Sequence, residues 1–111
     1  MFAELTRDQV EKLEAEFGPV YRAETAKGPV YVKRPTAAVI DAFQELREKS
    51  VRRAQNDLVK RCLVHPAWPE YEAVLTQFPM FNVDAASVLI DISKGYEEAR
   101  VTKSGGQASA G

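Results

Sequence analysis

The stretch Val20-Tyr21-Arg22-Ala23-Glu24-Thr25-Ala26-Lys27-Gly28-Pro29-Val30-Tyr31-Val32-Lys33 decides the architecture, because it sets β-prone runs among helical ones. Val20–Glu24 and Val30–Lys33 are rich in β-branched and aromatic residues, and Thr25–Gly28 is turn material between them. In the second run Val30 and Val32 fall on one face and Tyr31 and Lys33 on the other, the two-residue period of a strand. The pattern predicts a β-hairpin. A lone hairpin is marginal in water, so this one must pack on a helix or pair with another chain, which leaves self-association open.

Toward the N-terminus, Thr6 and Gln9 form a capping box ahead of Val10, Leu13 and Phe17 at helical spacing. Gly18 and Pro19 stop that helix, predicted over Arg7–Phe17. Toward the C-terminus, Arg34-Pro35-Thr36 closes the hairpin, and Thr36 caps a helix with Val39, Ile40, Phe43 and Leu46 on one stripe. The stripe breaks at the polar Arg47-Glu48-Lys49-Ser50 and resumes through Val51, Ala54, Leu58 and Cys62 up to Val64. Thr36–Val64 reads as one long helix or as two. The drift in apolar direction favours a break near residue 50.

His65-Pro66-Ala67-Trp68-Pro69 ends the helical run, and Pro69 suits the first position of the next helix. That helix carries Tyr71, Val74, Leu75 and Phe78 and stops at Pro79. Asn82 is then expected to cap a last helix, Val83–Lys94, stopped by Gly95. The predicted class is α+β, mainly α: an N-terminal helix, a β-hairpin, then a bundle of three to four helices. A single domain is expected over residues 1–103, with a flexible Gly/Ser/Ala tail over 104–111.

Fifteen basic and sixteen acidic residues leave a net charge of −1, which argues against a nucleic-acid coat or a polybasic membrane binder. No apolar run approaches the roughly 20 residues of a membrane-spanning helix. Acids near the N-terminus do not suit a secretory signal, and a single cysteine cannot close an internal disulfide. These features point to a reducing cytoplasm.

The last helix is the best candidate for an interaction surface. Its polar residues Asp84, Ser87, Asp91 and Lys94 share a narrow strip. Val83, Ala85, Ala86, Val88, Leu89, Ile90 and Ile92 lie on an apolar arc of about 220°, against the ~100° a surface helix needs. Such an arc describes either a central helix surrounded by its own domain or one that offers a flank to a partner. Phe78-Pro79-Met80-Phe81 reads either as a plug between helices or as a set of contact anchors, and Trp68 as a core lid or an interface residue. The candidate partner-binding set is Met80, Phe81, Val88, Leu89 and Ile92. Arg47, Lys49, Arg52, Arg53, Lys60 and Arg61 stand against Glu48 and Asp57, either as a solvated face or as a patch that steers an acidic partner. Of these, Arg47, Arg52, Arg53, Lys60 and Arg61 are the candidate steering residues.

Catalysis has little support. Cys62 and His65 are neighbours only if the helix continues through both, and Cys62 lies on the apolar stripe. One Cys and one His do not make a zinc site, and no glycine-rich phosphate loop is present. The residues imply neither an enzyme nor a cofactor.

The hairpin, Val32-Lys33-Arg34-Pro35-Thr36, Leu58-Val59-Lys60-Arg61-Cys62-Leu63-Val64-His65-Pro66, Leu75–Phe78-Pro79, Ala85–Ile92 and Lys94-Gly95 together resemble the small tail assembly chaperones of long-tailed bacteriophages. The resemblance covers about Val20–Gly95. It implies a non-enzymatic protein of the infected host's cytoplasm, absent from the mature virion, that binds the tape measure protein and keeps it soluble. It further implies, through a frameshifted longer form, contact with tail tube protein. Two other readings share the same residues: an adaptor or inhibitor of another protein, and a nucleic-acid-binding regulator using the Arg47–Arg61 helix.

Overall fold

Val30 and Val32 are buried on one side of a sheet and Tyr31 on the other, so the hairpin is packed on both faces. The computed structural model of the chain describes residues 1–101; the expected 104–111 tail and the last two residues of the expected domain lie outside the described residues. The elements are α1 (Arg7–Phe17), β1 (Val20–Thr25), β2 (Gly28–Lys33), α2 (Ala37–Arg47), α3 (Val51–Cys62), β3 (Leu63–His65), α4 (Trp68–Gln77) and α5 (Val83–Ser93). The class is α+β, mainly α. Among the described residues no helix is long and apolar enough to cross a membrane.

Local chemistry accounts for most of the boundaries. Both arms of the Thr6–Gln9 capping box form, at 3.2 and 2.8 Å. Thr36 accepts from the Val39 amide, and Ser50 accepts from the Arg53 amide at 3.2 Å. The Ser50 cap is why residues 36–64 make two helices: its side chain satisfies an orphan N–H of a new helix, so the polar 47–50 stretch becomes a corner.

Two expectations need correction. The second helix does not run to Val64; it ends at Cys62, and Leu63–His65 forms a third strand, antiparallel to β2, with Leu63 opposite Val32 and His65 opposite Tyr31. Pro66 disfavours helix at His65, and the outer edge of β2 offers hydrogen-bond partners that a helix end would lack. Asn82 occupies the N-cap position of α5 but makes no capping bond with its side chain, which is engaged elsewhere.

The sheet order is β1-β2-β3. Hairpin register runs from Val20 opposite Lys33 to Thr25 opposite Gly28. β2 is therefore central, and the outer edge of β1 is covered by the C-terminal segment, where Tyr21 bridges to Arg100 and the Arg22 amide donates to the Ala99 carbonyl at 2.8 Å. The hairpin's own edges are thus partnered within the chain, β2 by β3 and part of β1 by the C-terminal segment.

The main core lies on one face, where Tyr21, Ala23, Val30 and Val32 meet Leu58, Val59 and Cys62 of α3 and Ala85, Leu89 and Ile92 of α5. The other face is smaller: Val10, Val20 and Tyr31 pack with Leu5, Leu13 and Val101 beneath α1. Helix direction follows from the contacts. α3 ends beside Val32, while its middle reaches back to Asn82 through Asn56. α5 ends near Arg34–Thr36, where Ile92 and Ser93 line a shallow groove with them. One end of the molecule therefore gathers the hairpin turn, residues 78–82 and the α2–α3 corner.

Candidate protein-binding surface

Five residues, Phe78–Asn82, connect α4 to α5, and the chain treats them unequally. Phe81 is 8% exposed, with its ring 5.3 Å from Tyr71 and 6.2 Å from Phe2. Phe78 and Met80, on either side of Pro79, are 48% and 73% exposed. The turn is closed by the Phe81 amide donating to the Phe78 carbonyl at 2.8 Å and the Val83 amide donating to the Met80 carbonyl at 3.2 Å. Phe81 is the plug of the sequence reading, while Phe78 and Met80 are presented to solvent.

Asn82 holds that turn from beneath. It is buried, its amide nitrogen donates to Asn56 Oδ1 at 2.8 Å, and its Oδ1 accepts from the Tyr71 hydroxyl. Burial, and secondarily the charge of Asp84, push the Tyr71 phenol well above its ordinary value, so it stays protonated and donates. Trp68 stacks on Tyr71 at 5.6 Å, which makes it a lid on this aromatic cluster. The exposed pair thus rides on a base of packed rings and satisfied hydrogen bonds. Lys27 of the hairpin turn lies over the Phe78 ring, its Nζ 4.9 Å from the centroid. The Phe2 amide donates to the Lys27 carbonyl, tying the N-terminal segment to the same place.

The partner-binding set expected from sequence needs correction. Leu89 is fully buried, Ile92 is 4% exposed, and both belong to the main core with Phe81; none of the three can meet a partner in the folded domain. The wide apolar arc of α5 is covered by β1, β2 and α3, so the central-helix reading of it is the right one. Val88 is half-buried, and only Met80 of the set stands free. Phe78 belongs with Met80, and its signal in the sequence was the proline that follows it.

The basic run is divided by the fold. Arg47, Lys49, Arg52 and Arg53 are exposed around the α2–α3 corner, and among the described residues they form no ion pairs. Farther along α3, Arg61 pairs with Asp57 at 2.8 Å and Lys60 sits 5.7 Å from the Trp68 ring. Those two cations are engaged within the domain.

Cys62 and His65 are not arranged as a nucleophile and base. Cys62 is buried at the end of α3, and desolvation pushes its thiol up to about 11 against the opposing pull of Lys33 and Arg61. His65 sits on β3 with its ring edge-on to Tyr31, 6.3 Å between centroids.

A solved structure of an uncharacterised protein from Bacillus stearothermophilus is similar to this chain, with a TM-score of 0.68 and 26% sequence identity. The match covers 78% of this chain and 93% of that one. No family model and no curated protein matches the chain.

Proposed function

We propose that the chain is a non-enzymatic tail assembly chaperone of a long-tailed bacteriophage, which holds a tape measure protein in solution while the tail is built. The observation that carries this reading is the exposed pair Phe78 and Met80, fixed on a proline turn above a satisfied core. Large apolar side chains held rigidly in solvent are costly unless something covers them, and they suit an amphipathic helix that aggregates when left bare. A tape measure protein is such a client, because its apolar stripes are unprotected until the tube encloses them. Many chaperones on one long helix would add weak single contacts into useful avidity. In the host cytoplasm, tail tube protein is a second partner under this reading.

Co-expression with the tape measure protein encoded nearby is the test. The reading expects the client to become soluble and to co-purify with several copies of the chain, and expects Phe78→Ser/Met80→Ser to abolish both. A client that stays insoluble beside abundant folded chain would refute it.

A further inference from the structure

The basic corner and the apolar turn lie at the same end of the molecule, although they are distant in sequence. Asn56 of α3 bonds to Asn82, so the helical turn that carries Arg52 and Arg53 adjoins the one bonded to the 78–82 segment. Lys27 reaches the same turn from the hairpin. At this end Lys27, Arg47, Lys49, Arg52 and Arg53 stand against Glu24, Glu45, Glu48 and Asp84, of which Glu24 is paired with Arg22. Among the described residues the four cations of the α2–α3 corner are not neutralised by ion pairs. The near-neutral chain is therefore polarised locally, with positive charge gathered beside its exposed apolar residues.

From this juxtaposition we infer that the surface selects a helix of one chemistry: an apolar stripe flanked by acidic residues. Phe78 and Met80 take the stripe, and Arg52, Arg53 and their neighbours take the flanking carboxylates. Each exposed pair contributes little, but several acting together bias register and orientation and speed encounter. A lysine-flanked helix with the same stripe meets like charge and is rejected. A nucleic-acid strand would use the cations but not Met80 and Pro79, so the protein helix is the better fit. The inference rests on the chaperone reading only for the identity of the client, since the surface chemistry stands without it.

Two labelled helical peptides of about 20 residues, with identical leucine stripes and either glutamate or lysine flanks, would be titrated into the full chain by fluorescence anisotropy. The glutamate peptide is expected to bind at least about tenfold more tightly, and to weaken between about 50 mM and about 300 mM salt. Arg52→Glu/Arg53→Glu should erase that preference, Arg52→Lys/Arg53→Lys should keep most of it, and Phe78→Ser/Met80→Ser should abolish binding of both peptides. All four positions are exposed, and circular dichroism checks that each variant is folded. Equal affinity for the two peptides, no response to the Glu substitutions, or displacement of the peptide by a tighter-binding single-stranded oligonucleotide would each overturn the inference. If the tape measure protein is solubilised while neither peptide binds, the chaperone reading survives and this inference fails. If the glutamate peptide binds as expected while the tape measure protein stays insoluble, the surface is right and the client is another acidic helix.

Discussion

The hydroxyl of Tyr21 donates to Glu97 Oε2 at 2.9 Å, joining strand β1 to a segment that follows the last helix. Tyr21 is otherwise fully buried, and its oxygen also accepts from Arg34 Nη2 at 2.7 Å. The pair fixes the segment that covers the β1 edge, where the Arg22 amide donates to Ala99. Tyr21→Phe keeps the ring and removes the anchor. It should cost about 1–2 kcal/mol in urea unfolding. Amide exchange at Arg22 should accelerate by more than the global loss of stability accounts for. Unchanged Arg22 protection would mean that backbone bonding alone holds the segment.

Asn82 supports the exposed turn through bonds to Tyr71 and Asn56. Asn82→Ala leaves the buried Tyr71 hydroxyl without its acceptor, and should destabilise the domain by about 1–3 kcal/mol. Tyr71→Phe in that background should then cost less than it does alone, because the hydroxyl has already lost its partner. A double-mutant cycle by chemical denaturation measures the coupling, and additivity would show that the two residues act separately.

Cys62 sets a pH dependence. Its thiol is pushed from the usual 9.0 to about 11 by burial, so the folded state keeps its proton where the unfolded chain has begun to lose it. Below pH 9 the two states bind the same proton and the group has no effect. Between pH 9 and about 11 the unfolded state binds fewer protons, so stability falls with rising pH, by at most about 2–3 kcal/mol in full. Cys62→Ala should show a shallower decline over that window, and a thiol-reactive dye should label the wild type only as it unfolds. Parallel pH profiles for the two proteins would rule the thiol out as a contributor.

How far the sequence carried this structure depended on whether a signal was local. The Arg7–Phe17 helix was legible to the residue because its cap, stripe and Gly-Pro stop sit within one segment. The hairpin was legible from alternation, and the break at Ser50 from a change in stripe direction. Strand β3 was not: three residues, Leu63–His65, carry no period of their own and are extended because β2 lies beside them. The same limit governed the candidate surface. A helical wheel gives the width of α5's apolar arc but not what covers it, so Leu89 and Ile92 read as candidates until β1, β2 and α3 were seen against them. Phe78 and Met80 were legible as residue types beside a proline, whereas their exposure depends on Phe81 taking the inward position. The union of the basic corner with that turn rests on the Asn56–Asn82 bond, 26 residues apart in the chain.

The division between core and surface on either side of Asn82 is itself measurable. Leu89 lies in the main core with Val30, Val32 and Leu58, so Leu89→Ala leaves a cavity and should destabilise by about 2–5 kcal/mol. Met80 is mostly in water, and Met80→Ser removes apolar surface that folding leaves largely exposed, so its effect on unfolding should stay within about 0.5 kcal/mol. Client binding reverses the order. Met80→Ser should reduce co-purification of the client, while Leu89→Ala, assayed at a temperature where it remains folded, should leave the affinity of the folded fraction unchanged. Thermal melts and pull-downs on the same two variants supply both halves of the comparison. If Leu89→Ala lost binding while fully folded and Met80→Ser kept it, α5 rather than the Phe78–Met80 turn would be the contact surface.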